Sequence, residues 1–177
     1  MSRVQNGTDV VMLQLEPQPV VSIRATIKVD DLGKVMGDRI QALSDYLQTH
    51  GAHAAGPFFV RYHTFGDMYT DMETGIPVVE AVAGGGGSSP QPQVSGEIVS
   101  GTLPGGPAVT TSHTGPHNEL GEAYARIDGW LKEHGGEPDG PAWEVYHWID
   151  FRQERDPEDG YNPSTQRVEL VQPWSRG

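Results

Sequence analysis

The sequence predicts an α+β fold made of duplicated β-α-β-β units in pseudo-two-fold arrangement. Three observations carry that expectation. Residues 26–63 and 110–147 align without gaps at a constant offset of 84, with nine identities. Each copy holds one stretch of helical periodicity between segments of strand-like alternation. Glycine and proline, 23 and 14 residues, punctuate the segment boundaries. An amphipathic helix needs a sheet to cover, so a mostly antiparallel sheet with both helices on one face is expected. The seam between the repeats is the expected place for a ligand cleft.

The identities are spread through a helix, a turn and a strand. Thr26 falls on Thr110, Gly37 on Gly121 and Leu47 on Leu131. His50-Gly51 falls on His134-Gly135, Gly56-Pro57 on Gly140-Pro141, and Tyr62-His63 on Tyr146-His147. A single domain over 10–173 is expected, with repeat one at 10–83 and repeat two at 94–173.

Along the chain, Val10 to Leu15 reads as a strand bounded by Pro17 and Pro19. From Val20 to Lys28, Val21, Ile23, Ala25 and Ile27 share one face and Ser22, Arg24, Thr26 and Lys28 the other. Asp30 and Asp31 are candidate N-caps. Met36, Ile40, Leu43 and Leu47 then form one helical stripe, and Gly51 is placed to end it in a left-handed turn. Phe58 to Phe65 and Ile76 to Val82 read as strands. Gly84 to Gln93 holds four consecutive glycines, which lose the most backbone entropy on ordering, so 84–93 reads as a linker. It lacks the Gly-Lys-Ser/Thr of a phosphate loop.

In the second copy, Glu97 to Leu103 and Ala108 to His113 read as strands around a Pro104 to Pro107 turn. Leu120, Tyr124, Ile127 and Leu131 repeat the helical stripe, with Gly135 as its terminator. Trp143 to Ile149 and Arg167 to Val171 are the remaining strands, joined by a charged loop over 151–164.

Composition excludes several functions. There are no cysteines, hence no disulfide, thiolate metal site or Cys nucleophile. Net charge is −12 with only 12 scattered Lys and Arg, so direct nucleic-acid binding is not expected. The polar N-terminus shows no signal peptide and no run reaches transmembrane length, so a cytoplasmic protein without membrane contact is expected. His113 and His117 are four apart, but Gly115 and Pro116 intervene, so no metal is expected. Thr111-Ser112-His113 lacks the glycines of a nucleophile elbow, and neighbouring strand residues point to opposite faces. His63 and His147 read as strand-packing residues rather than catalysts. No cofactor is expected.

The informative strand is Pro141 to Trp148. Ala142, Glu144, Tyr146 and Trp148 share one face, and Trp143, Val145, His147 and Ile149 the other. The first copy reads Pro57-Phe58-Phe59-Val60-Arg61-Tyr62-His63, so Tyr62 and Tyr146 are equivalent while Glu144 replaces Val60. A carboxylate among aromatic rings must find donors, take a proton or meet a cation. Aromatic walls attract the same cation.

His113-Thr-Gly-Pro-His117 before a helix, Trp130-Leu131 near its end, Gly140-Pro141 and Trp143-Glu144-Val145-Tyr146 together resemble the GyrI-like family, the bacterial effector-binding domain. The resemblance spans about residues 10–173. That domain is the drug-sensing part of MerR- and AraC-type multidrug regulators and also occurs alone. The resemblance implies two β-α-β repeats with an aromatic cleft between them, in which a glutamate meets lipophilic cations. It places that role on Glu144, with Tyr146, Trp143, Tyr62, Phe58 and Trp148 as walls. No helix-turn-helix accompanies the domain in this sequence, so a stand-alone member is expected.

Three functions follow as expectations. The first is a small-molecule binding protein for aromatic or lipophilic compounds, cationic ones included, serving sensing, sequestration or resistance. The second is a hydrolase of strained cyclopropane-containing genotoxic natural products, as some stand-alone relatives resemble, with Glu144 and Tyr146 as its catalytic pair. The third is a protein-interaction module, such as an inhibitor of a DNA-handling enzyme, which the acidic balance alone favours.

Overall fold

A computed structural model of the chain describes residues 9–80, 97–114, 120–147 and 167–177. The glycine-rich segment 84–93, His117, Trp148 and the loop 151–164 lie outside the described residues. In chain order the elements are β1 (Val11–Leu15), β2 (Gln18–Lys28), α1 (Leu32–Thr49), β3 (Phe59–Phe65), β4 (Tyr69–Pro77), β5 (Ile98–Leu103), β6 (Gly106–Thr114), α2 (Gly121–Glu133), β7 (Gly136–Pro138), β8 (Trp143–Tyr146) and β9 (Arg167–Arg176). They divide into two compact units: Glu16–Gly105, and Met1–Leu15 with Gly106–Gly177. The fold is α+β, each unit pairing one long helix with antiparallel strands.

In the Glu16–Gly105 unit the strand order is β3-β4-β2-β5, antiparallel throughout. α1 packs on β2 and β4. Val21, Ile23 and Ile27 of β2 stand opposite Ile76, Thr74 and Thr70 of β4, and all six are buried. Ile40, Leu43 and Leu47 from α1 complete this core, each buried aliphatic contributing about 1.5–3 kcal/mol. Arg39 is fully buried beneath the helix. Its Nη1 donates to the Met72 carbonyl at 2.8 Å and to Thr74 Oγ1 at 3.3 Å. Burial pushes its guanidinium down to about 10, against the pull of Asp71 and Glu73, so it stays charged at neutral pH.

In the other unit the order is β1-β6-β9-β8, with β7 on the far end of β9. α2 packs on β6, β7 and β9 through buried Ala123, Ile127 and Leu131. Gly136 lets Trp174 lie against the start of β7, where an added Cβ would meet the indole at 2.6 Å.

Both helices stop by one device. Gly51 (φ 62°) and Gly135 (φ 64°) take the left-handed conformation expected of them. One residue earlier, His50 Nδ1–H donates to the Tyr46 carbonyl at 2.9 Å, and His134 Nδ1–H to the Trp130 carbonyl at 2.8 Å. Each imidazole stacks on the ring one turn back, Tyr46 or Trp130.

One local expectation is corrected, and one element is added. The strand expected from Ile76 to Val82 is centred earlier, at Tyr69–Pro77, because its buried alternates include Thr70 and Thr74, which carry no hydrophobic signal. β7 is the added element, and its three residues are too short to show a period in the sequence. In the two units β1 and β5 are exchanged relative to their order in the chain. β1 pairs with β6, and β5 with β2. Glu16-Pro17 and Pro104-Gly105 are the only residues between consecutive strands there. Pro104 fixes φ near −65° at the first position of its link, where both primed turns need a positive φ, and Pro17 at the second position excludes the type I′ turn. No described non-glycine residue has positive φ.

The register refines the repeat. Arg61 and Val145 stand opposite Glu73 and Glu169, which stand opposite Arg24 and Ser112. Arg24 and Ser112 differ by 112 − 24 = 88, so the offset of 84 holds from helix to β3/β8 but not at β2/β6. The Thr26/Thr110 identity is thus a sequence match between positions that are not equivalent in the sheets.

Candidate functional site

β8 positions the carboxylate that the sequence singles out. Gly140 (φ 92°) turns the chain into it, and alternation places Glu144 and Tyr146 opposite Leu170 and Val168 of β9. Those residues stand in turn opposite Thr111 and His113 of β6, which are buried on the same face. α2 lies over this face. Arg126 ties it down, donating from Nη2 to the Ser112 carbonyl at 3.0 Å and from Nε to Thr111 Oγ1 at 3.4 Å.

Glu144 is 2% exposed. Its two oxygens are held separately: Tyr146 Oη donates to Oε1 and Tyr124 Oη to Oε2, each at 2.5 Å. That distance is proper to a hydroxyl donating to a carboxylate. The two donors differ in setting. Tyr146 is 2% exposed and sits two residues along the same strand, whereas Tyr124 reaches in from α2 and is 38% exposed. The arrangement fixes the carboxylate's rotamer and surrounds it with phenol rings, which can offer their π-faces to a cation or their protons to a reacting group.

The other candidates are placed as follows. Trp143 is buried and falls on the opposite face of β8, opposite Val171. Tyr62, Tyr146's counterpart on β3, is half-buried with its ring 5.3 Å from Phe65, edge-on. Phe58 is buried just before β3. In the sequence Tyr124 stands only as a member of the helical stripe. One signal could have found it: at offset 84 it falls on Ile40 while Glu144 falls on Val60. The copies thus diverge together at a hydroxyl and a carboxylate.

The opposite sheet faces carry a second duplicated arrangement. His63 Nε2 lies 2.9 Å from Glu73 Oε1, and Ser22 Oγ donates to Glu73 Oε2 at 2.7 Å. His147 Nε2 lies 3.0 Å from Glu169 Oε2, and Thr110 Oγ1 donates to Glu169 Oε1 at 3.0 Å. In each unit a glutamate bridges a histidine and a hydroxyl on its two neighbouring strands. Beside the first, Arg24 and Asp71 form a two-contact ion pair at 2.8 and 3.0 Å. The hydrogen bond from Arg24 holds the Asp71 carboxyl below its ordinary value of 3.8. Among the described residues, no group of three or more His, Asp or Glu is placed to hold a metal ion. Nor is any helix long and apolar enough to cross a membrane.

No curated protein sequence matches the chain. Solved structures do match in fold. The EcmrR C-terminal domain superposes with a TM-score of 0.72 at 17% identity, covering 96% of this chain and 98% of that one. EcmrR bound to DNA gives 0.71 at 18% identity, and there the match covers 96% of this chain but only 58% of the EcmrR chain. A hydrolase from Listeria innocua gives 0.63 at 13% identity, over 97% of this chain and 94% of that one. SAV2435 bound to tetraphenylphosphonium gives 0.55 at 10% identity, over 95% and 94%. At sequence level the match is to the GyrI-like small molecule binding domain, over residues 8–161, and the chain belongs to that family.

Proposed function

We propose that this small-molecule binding domain takes lipophilic aromatic cations, with Glu144 as their counter-charge, and serves sensing, sequestration or resistance. The observation that carries the reading is a buried carboxylate, Glu144, each of whose oxygens accepts a hydrogen bond from a neutral phenol, Tyr124 or Tyr146. A negative charge set in an aromatic, low-dielectric place attracts a weakly hydrated cation far more than a surface carboxylate does. That SAV2435 shares the fold and was solved with tetraphenylphosphonium supports the choice of ligand class.

The test is calorimetric titration of the protein with tetraphenylphosphonium. Removing one charge of a buried pair costs about 2–5 kcal/mol, so Glu144→Gln is expected to weaken binding roughly 30-fold or more. Equal affinity in wild type and variant would remove Glu144 from the account.

The two phenols on one carboxylate also support a second reading, hydrolysis of a strained cyclopropane. Glu144 draws a proton from water, whose oxygen bonds to a ring carbon. The electron pair of the breaking C–C bond takes a proton from Tyr146, which recovers one from Glu144. The fold shared with the Listeria innocua hydrolase adds support. Incubation with a cyclopropane-containing alkylator decides it: turnover above buffer hydrolysis must collapse in both Glu144→Gln and Tyr146→Phe.

A further inference from the structure

We propose that Tyr124 is a displaceable competitor for the Glu144 carboxylate, so that its hydroxyl sets how strongly the site prefers cations. The inference rests on the cation-binding reading above and assigns a specificity-determining role within that site.

The two phenols hold the same carboxylate at the same 2.5 Å, yet they are not interchangeable. Tyr146 is 2% exposed and lies on the strand that carries Glu144, so its hydroxyl is fixed with the carboxylate. Tyr124 is 38% exposed and approaches from α2. Its neighbours Ala123 and Ile127 are buried under the helix, which leaves Tyr124 at the rim of the packed face. Glu144 itself is 2% exposed. A ligand that meets this carboxylate must move a group that covers it, and of the two phenols Tyr124 is the one with a path into solvent.

The repeat supports the same pairing. At offset 84 the first unit has Val60 for Glu144 and Ile40 for Tyr124, while Tyr62 matches Tyr146. Both Val60 and Ile40 are buried. The strand tyrosine is present with or without the carboxylate, whereas the helix tyrosine occurs only with it. Tyr124 therefore goes with the charge, and Tyr146 with the fold.

Competition has a defined sign. In the free protein the Tyr124 hydroxyl satisfies Oε2, and the bound cation takes its place. Apparent affinity falls by the fraction of molecules in which Tyr124 has swung away. Removing the hydroxyl leaves the carboxylate less satisfied before binding and unchanged after it. A hydrogen bond to a charged group implies a gain of about tenfold. Tyr146 stays bonded in both states, so losing its hydroxyl loosens the carboxylate and weakens cation binding.

The test titrates the full chain with tetraphenylphosphonium and with neutral triphenylphosphine oxide, in wild type, Tyr124→Phe, Tyr146→Phe and Glu144→Gln. The expected result is about tenfold tighter cation binding in Tyr124→Phe, weaker binding in Tyr146→Phe, and affinity for the neutral ligand within about twofold in Tyr124→Phe. A packing role alone would move both ligands together. If Tyr124→Phe binds the cation no tighter than wild type while Glu144→Gln binds it more weakly, competition by Tyr124 is overturned and the cation site stands. If wild type does not bind the cation, or Glu144→Gln binds it equally, the site itself is wrong and the competition falls with it.

Discussion

Glu144 and Tyr146 could be read from the sequence because strand alternation is rigid: two residues apart on β8 means one face. Tyr124 could not be read the same way. The phase of α2 on its sheet depends on packing partners, and a tyrosine in an apolar stripe looks like core until its exposure of 38% and its bond to Glu144 are seen. Arg39 was equally hidden. It sits in a helix of ordinary composition, yet it is fully buried and ties α1 to β4. Arg39→Ala removes the packed side chain and leaves Thr74 Oγ1 short of a donor. Urea unfolding should show a loss of about 2–4 kcal/mol. Asp71 gives a pH-dependent prediction. Its folded value lies below 3.8, so its contribution is present above that pH and is lost as pH falls through the folded value. The pair with Arg24 is half exposed, which limits the effect to about 0.2–1 kcal/mol. Asp71→Asn should therefore flatten the acid limb of the stability curve below about pH 4 and leave it parallel to wild type at pH 7.

At the scale of elements, helices and their stops were the most legible. Gly51 and Gly135 occupy the left-handed turns that the end of each apolar stripe demands. Replacing either by alanine should cost about 1 kcal/mol, measured by thermal unfolding, because an L side chain must enter that region. β4 is hard to read in the sequence for the opposite reason. Its buried face alternates Thr70, Met72 and Thr74, and the threonines gain their burial by pairing rather than by hydrophobicity. The site of closest approach in that unit is Gly75, where a Cβ would lie 2.4 Å from the Phe59 ring. The exchange of β1 and β5 was invisible to periodicity. It depends on the conformation of two-residue links, in which Pro104 excludes both primed turns and Pro17 the type I′ turn.

At the scale of the molecule, duplication explains most of the chain and its failure coincides with the proposed site. Helix ends, the glutamates bridging histidine to hydroxyl, and the strand tyrosines recur in both units. The carboxylate and its helix tyrosine do not. That asymmetry makes a prediction. Val60→Glu buries an unpaired charge at a fully buried position and should destabilise the protein by more than about 3 kcal/mol. Adding Ile40→Tyr should recover part of that loss in the double variant, as a double-mutant cycle in urea would record. The central claim is that Glu144 is the charge that selects the ligand. Paired titrations with tetraphenylphosphonium and triphenylphosphine oxide, in wild type and Glu144→Gln, test it most directly. The account predicts a loss of roughly 30-fold for the cation and little change for the neutral compound. Equal losses for both compounds, or none for the cation, would contradict it.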